Sequence, residues 1–167
     1  MGKILIEEVV NQLNLKFAEQ VSLIPEPSDL YNFETSREQI IEVLSFLKTD
    51  PAFQFIFLTD ITAVHYPEKE KQFAVVYHLH SFVNNIRVRV KVFLSEDDVH
   101  IPTATDLWNG ANWMERETYD YFGIEFDGHP DLRRILNVDD MTAFPMRKEF
   151  PLEDPNRVDK RDYFFGR

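Results

Sequence analysis

The nine residues IRVRVKVFL, positions 86–94, alternate in a way that suits only an extended chain. Ile86, Val88, Val90, Val92 and Leu94 fall on one side, and Arg87, Arg89 and Lys91 on the other. The segment is therefore predicted to be a strand with one buried and one polar face. Such a strand cannot hide its apolar side alone, so it demands neighbouring strands and a covering layer. QFAVVYHLH precedes it across the polar pair Asn84 and Asn85, and the two segments together predict an antiparallel hairpin.

Other elements follow from the same kind of pattern. Ile6, Val9, Val10 and Leu13 have helical spacing and predict a short amphipathic helix over 4–13. A strand is predicted near 17–23 and another at LYNFE, with Pro25 and Pro27 breaking the chain between them. TSREQIIEVLSFLKTDP predicts a helix capped by Thr35 or Ser36, with Glu38 in its first turn. Its apolar stripe is Ile40, Ile41, Leu44 and Leu47, and Pro51 follows its end. FQFIFLTDITAVHY is rich in strand-forming residues without clean alternation, which predicts a strand buried on both faces. After Pro102, TATDLWNGANWMERETYDYFG predicts one or two helical segments ending at Gly123 as a left-handed cap. From Ile124 onward no helix-length apolar period appears. The expected fold is α+β: a mixed, largely antiparallel sheet of four to five strands, helices packed on one face, and an extended irregular C-terminal arm. Residues 1–123 are expected to form the domain and 124–167 an arm that docks on partner chains.

Composition narrows the functions open to such a fold. A length of 167 residues suits one domain, and fifteen phenylalanines supply large side chains for its core. A formal charge of −11 argues against binding nucleic acid or lying unaided on anionic lipid. With no cysteine there is no disulfide framework, thiol nucleophile, zinc finger or ordinary iron–sulfur ligation. The N-terminal MGKILIEEVVNQLNL mixes acids into its apolar residues and so lacks the core of a signal peptide. Ile6 stands where a myristoylation signal after Gly2 would place Ser or Thr. No apolar run approaches the roughly 20 residues that span a bilayer, so a soluble, cytosolic chain is expected.

The densest stretch is WMERETYDYFGIEFDGHPDLRRIL, residues 113–136. On a helix, Trp113, Glu117 and Asp120 share one face and Glu115, Tyr119 and Phe122 another, so the acids do not converge as a metal cage requires. Arg116 and Asp120 stand four apart and are expected to pair along the helix. His129 has no second histidine four residues on, and the helix contains none, which argues against a zinc enzyme. His78 and His80 project from one strand face as a metal pair would, yet beside Arg87, Arg89 and Lys91, whose charge opposes a cation. In GHPDLRR, Gly128 permits an unusual backbone angle and Pro130 holds His129 extended. That corner either aims His129, Arg133 and Arg134 outward together or has Asp131 neutralise Arg134 in a turn. No nucleophile elbow, phosphate loop or dinucleotide fingerprint occurs anywhere.

Seven of the ten arginines lie after His100, against two of the eight lysines. Arginine favours bidentate pairing and aromatic stacking over simple solvation. The tail FPMRKEFPLEDPNRVDKRDYFFGR combines this charge with Phe144, Phe150, Tyr163, Phe164 and Phe165 and is broken by proline. Such a segment either buries its aromatics against a partner or folds back on its own domain.

ANWMERETYDYFGIEFDGHPDLRRIL resembles the signature of the C (30-kilodalton, NuoC-type) subunit family of bacterial NADH:quinone oxidoreductase, complex I, which has relatives in plastid NDH and membrane-bound hydrogenases. LTDITAVHYPE, FAVVYHLHS and IRVRVKV upstream and FPMRKEFPL downstream extend the resemblance over about residues 53–152. Where the family pattern more often has Pro-Leu-Arg-Lys-Asp, this chain has Pro145, Met146, Arg147, Lys148 and Glu149. Met keeps an apolar filler and Glu keeps the charge on a longer stem. The end of the chain soon after Arg161 is expected of a stand-alone protein of this family and not of a fused C–D form.

The resemblance implies a subunit of the peripheral arm that binds no cofactor, flavin and iron–sulfur clusters residing in partner subunits. It implies packing against the D (49-kilodalton) subunit near the B subunit, on the cytoplasmic side of the inner membrane, with catalysis belonging to the complex. It implies that Glu115, Arg116, Glu117, Asp120, His129, Arg133 and Arg134 tie helix and corner together and present an interface. Trp113, Gly123, Gly128, Pro130, Leu132, Pro145, Arg147 and Lys148 complete that motif. An equivalent scaffold in a hydrogenase or another dehydrogenase is the alternative, and a small metallo-enzyme using His78, His80 or His129 a distant one.

Overall fold

The computed structural model describes residues 6–24 and 30–150. Helix α1 (Ile6–Phe17) leads through a single turn (Ala18–Gln20) into β1 (Val21–Ile24), followed by β2 (Tyr31–Thr35) and α2 (Ile40–Thr49). Three nine-residue strands come next: β3 (Phe57–His65), β4 (Phe73–Ser81) and β5 (Ile86–Leu94). The short β6 (His100–Pro102), helix α3 (Ala111–Phe122) and β7 (Glu125–Asp127) complete the order. The five-stranded sheet runs β1-β2-β5-β4-β3, antiparallel except where β2 joins β5. β6 and β7 pair in parallel as a separate ribbon.

The predicted hairpin is present, Ser81 opposite Ile86 and Phe73 opposite Leu94. Asn85 closes its turn at φ 55°, an angle Asn tolerates better than most residues. Asn84 fastens that turn to the loop after α2 by donating to the Ala52 and Phe53 carbonyls. Val88, Val90 and Val92 of β5 and Val75, Tyr77 and Leu79 of β4 form the middle of the core. Leu13 of α1, Leu44 and Leu47 of α2 and Phe122 of α3 cover them, so the helices share one face of the sheet. Opposite, Arg87 is exposed while Lys91 is buried.

Three local expectations are corrected. β3 is not buried on both faces: Leu58, Ile61, Ala63 and His65 are buried and the residues between them are more open. A bulge between Leu58 and Asp60 shifts the phase by one residue, which is why the sequence does not look periodic. Phe17 belongs to α1, where it continues the stripe of Val9 and Leu13 and meets Phe46 edge-on at 5.6 Å, so the strand expected from 17 begins at Val21. Neither Thr35 nor Ser36 caps α2, which starts from Gln39 without a side-chain cap. Thr35 ends β2 and donates its hydroxyl to the Gln20 carbonyl instead, at 2.9 Å.

Of the one or two helical segments expected after Pro102, one is a full helix, and it ends as predicted. Gly123 adopts φ 72° and donates its N–H to the Tyr119 carbonyl at 2.8 Å. A Cβ there would also lie 2.5 Å from Phe144 Cε2, so both angle and space require glycine.

β3 is an edge strand, and the region around α3 covers it. Thr118 shares its hydroxyl proton between the Ile61 carbonyl at 3.1 Å and the Met114 carbonyl of its own helix at 2.8 Å, and Trp108 donates its indole N–H to the Ile56 carbonyl at 2.9 Å. The bonds to Ile61 and Ile56 occupy carbonyls that would otherwise invite another strand. Thr118→Val keeps the side-chain shape but leaves the Ile61 carbonyl buried and unpaired. It is expected to lower stability by about 1–3 kcal/mol, measured as a reduced urea midpoint at unchanged slope.

Candidate functional site

Helix α3 carries an unusual load of buried polar side chains: Glu115, Arg116, Thr118 and Asp120. Glu115 points into the domain. It accepts from the Ala104 N–H at 2.6 Å and the Thr103 hydroxyl at 2.5 Å, holding the turn that leads from β6 toward α3. Burial raises its carboxyl from the ordinary 4.5 to about 7, against the pull of those two donors. The Tyr77 hydroxyl, held well above its usual range by burial and by the charge of Glu115, finds no hydrogen-bond partner among the described residues.

Asp120 does not pair with Arg116 as the spacing suggested. Arg116 reaches away from the helix and donates to the Arg133 and Arg134 carbonyls, both at 3.1 Å. Asp120 accepts from the N–H groups of Ile135, Leu136 and Asn137 at 3.0, 2.8 and 2.9 Å, and from the Asn137 side-chain amide at 3.0 Å. Arg134 closes the arrangement at 2.7 Å and extends its other nitrogen to the Met141 and Ala143 carbonyls. Desolvation works to raise the Asp120 carboxyl. The donors from Asn137, Leu136 and Arg134 outweigh it and hold the group far below the ordinary carboxylate range. Asp131 pairs with Arg133 at 3.0 Å and not with Arg134, on an exposed surface where such a pair contributes little.

A second set of bonds secures the chain beyond Gly123. Arg147 donates to the Phe122 carbonyl at 2.7 Å, with its guanidinium 4.8 Å from the Phe73 ring centre and 4.9 Å from that of Phe144. The Met146 N–H donates to the Tyr121 carbonyl, and the Lys148 N–H to His65 Nδ1 at 2.9 Å. His65 is buried, stacked on Phe73 at 4.5 Å, with Nε2 3.1 Å from the Gln72 side-chain oxygen. Since Nδ1 accepts, the proton sits on Nε2.

The corner at Gly128 has φ 84°. His129 accepts the Asp131 N–H at Nδ1 and faces the Asn112 carbonyl from Nε2 at 3.1 Å, which joins the corner to the start of α3. Leu132 packs against the core and Pro145 is half-buried. His78 lies opposite Arg89 and His80 opposite Arg87. Burial and then Arg89 hold the His78 imidazole below its usual value, against Asp60. Among the described residues no three metal-ligating side chains come together.

The motif thus divides. Glu115, Arg116, Asp120, Gly123 and, less deeply, His129, Arg134 and Arg147 face the chain's own interior or loops, while Trp113, Glu117, Pro130, Arg133, Met146 and Lys148 face outward. Sequence reading did not single out His65, Thr103, Thr118 or Asn137. Their partners lie 12 to 83 residues away, apart from local bonds, and no spacing rule reaches so far.

Two expectations test this framework. Asp120→Ala leaves Arg134 buried without its carboxylate and frees three backbone N–H groups. Stability is expected to fall by about 3–5 kcal/mol in urea denaturation. Glu115 acts in the opposite sense with pH. Between the unfolded value near 4.5 and the folded value of about 7, the native state keeps a proton that the unfolded chain releases. Stability therefore declines as pH rises through that window, by on the order of 2–3 kcal/mol. Glu115→Gln should flatten the decline in melting temperature between pH 5 and 7.

Comparisons with known proteins bear on the same residues. The family described as "Respiratory-chain NADH dehydrogenase, 30 Kd subunit" matches residues 33–156. The C-type subunit of the NADH-quinone oxidoreductase of Citrifermentans bemidjiense is 51% identical over 121 residues, 72% of this chain and 74% of that one. Among solved structures, the trypsin-resistant fragment of Nqo5 superposes with a TM-score of 0.66 at 35% identity, covering 76% of this chain and 98% of the fragment. A chain of the membrane-bound sulfane sulfur reductase, an archaeal respiratory membrane complex, gives 0.72 at 26% identity, covering 94% and 98%.

Proposed function

This chain belongs to the 30-kilodalton subunit family of respiratory-chain NADH dehydrogenase, and from that premise we propose that it is a cofactor-free scaffold subunit of the peripheral arm of a proton-translocating NADH:quinone oxidoreductase. In this reading it packs against the large D (49-kilodalton) subunit near the B subunit, on the cytoplasmic side of the membrane. Flavin and iron–sulfur clusters belong to its partners.

One observation carries the reading. The buried charged groups in 113–148 are engaged in fixing the chain's own loops: Asp120 by five bonds, Arg134 and Arg116 through loop carbonyls, Arg147 through Phe122. Such an arrangement makes an irregular segment rigid, which a subunit that positions its neighbours needs. No helix among the described residues is long and apolar enough to cross a membrane, in keeping with peripheral attachment through other subunits. The likeness to a chain of the sulfane sulfur reductase complex favours, as a second reading, the same scaffold in a related respiratory assembly. Donor specificity would then lie elsewhere in the complex.

Gentle affinity purification of the tagged chain from detergent-solubilised host membranes tests the proposal. Larger subunits arriving with flavin and iron–sulfur absorbance are expected, and their identities separate the two readings. A lone colourless chain under several detergents would overturn both. Arg147→Ala, which loosens the segment beyond Gly123, is expected to reduce the amount of assembled complex several-fold while turnover per assembled complex is kept. Normal assembly with dead electron transfer would instead give this chain a direct part in the reaction.

A further inference from the structure

Trp113 is 62% exposed, yet it is not free to sweep through solvent. The Arg116 guanidinium lies 5.2 Å from its ring centre, and Arg116 is itself fixed by the Arg133 and Arg134 carbonyls. One turn further along α3, Glu117 is also exposed. At the next turn Asp120 holds the backbone N–H groups of 135–137, which ties the loop bearing Leu136, 60% exposed, to this helix. Val138 follows at 67% and begins a turn in which the Met141 N–H donates to the Val138 carbonyl, with Asp139 and Asp140 at its tip. The Met141 carbonyl is held by Arg134, and Arg134 by Asp120, so this acidic turn is tied to the same helix.

Three exposed apolar side chains and three acids are therefore carried by α3 and by the loop that Asp120 and Arg134 fasten to it. Glu117, Asp139 and Asp140 form no ion pair among the described residues, whereas Asp131, just before that loop, is matched by Arg133. A rigidly held, exposed tryptophan together with two exposed aliphatic side chains has the character of an interface anchor, and anchors of this kind dominate binding when a partner excludes water around them. The unmatched acids specify the partner's sign. They repel anionic lipid and nucleic acid, and they match a protein surface rich in lysine or arginine.

We propose that this part of the chain, Trp113, Leu136 and Val138 with Glu117, Asp139 and Asp140, is a docking surface for a basic face of a partner subunit. That face presents lysine or arginine side chains around an apolar recess that receives Trp113. The proposal rests on the scaffold reading and adds to it which surface of this chain makes the contact and with what chemistry.

The test uses the full chain in its assembled complex. p-Benzoylphenylalanine is substituted for Trp113, the complex is irradiated in membranes, and cross-linked peptides are identified after purification. In parallel, Glu117→Gln, Asp139→Asn and Asp140→Asn are combined in one chain, and its retention in the complex is measured across a salt series. All three acids are exposed, so the combined variant should melt as the native chain does. The expected result is a cross-link from position 113 to a co-purifying subunit at a site flanked by lysine or arginine. With it goes about a tenfold weaker retention of the acid-free variant at moderate salt and a shallower salt dependence. A complex that purifies intact while position 113 cross-links to no subunit, or in which the variant is retained like the native chain at every salt, would overturn this surface and leave the scaffold role standing. Native chain that recovers no larger subunits at all would remove the scaffold role, and this surface with it.

Discussion

The carboxylate of Asp120 is the interaction on which the C-terminal half of the structure depends. It is fully buried on α3 and accepts three consecutive backbone N–H groups, one side-chain amide and one guanidinium nitrogen. Residues 128–150 contain no helix or strand, so their backbone groups lack the ladder partners that regular structure provides. Asp120 supplies the missing acceptor for the N–H groups of 135–137. Arg116 and Arg134 supply the missing donors, reaching the carbonyls of residues 133, 134, 141 and 143.

Glu115 and Asp120 show how the number of donors decides the state of a buried acid. They lie five residues apart on the same helix and neither is exposed. Glu115 has two donors, and burial prevails, so its carboxyl is pushed up to about 7. Asp120 has five, and they prevail, so its charge is held across the physiological range. The first acid ties α3 to the turn at 103–104 and can give up its charge without losing that contact. The second cannot, because Arg134 would be left as an unpaired buried cation.

Much of the domain could be read from local pattern. The alternation of 86–94, the hairpin at Asn84 and Asn85, the stripe of α2 and the cap at Gly123 each depend on residues within a turn or two of one another. β3 resisted because a single bulged residue between Leu58 and Asp60 reverses which face follows, and no local rule announces a bulge. The helix itself was legible, but its partners were not. Spacing paired Arg116 with Asp120, since four residues apart is the ordinary geometry on an exposed helix. Here both side chains are buried, and better acceptors and donors from 133–137 compete for them. His65, bonded to Lys148 across 83 residues, offers no signal at all to a reading of local sequence.

The same competition explains how so charged a motif can lie largely buried on α3. A buried ion pair such as Asp120 and Arg134 adds little net stability compared with well-packed apolar side chains, because desolvation offsets much of its attraction. What an apolar replacement could not do is hold an irregular backbone in one conformation, since hydrocarbon offers no partner to an N–H or a carbonyl. Asp120 holds residues 135–137 and Arg134 holds 141 and 143, so Leu136, Val138, Asp139 and Asp140 are displayed from a backbone with little freedom to move. The entropy of ordering that loop is met on folding, and a partner that docked there would not have to meet it again. The buried charges of α3 thus act as the secondary structure of a segment that has none, and what they fix in place is a surface.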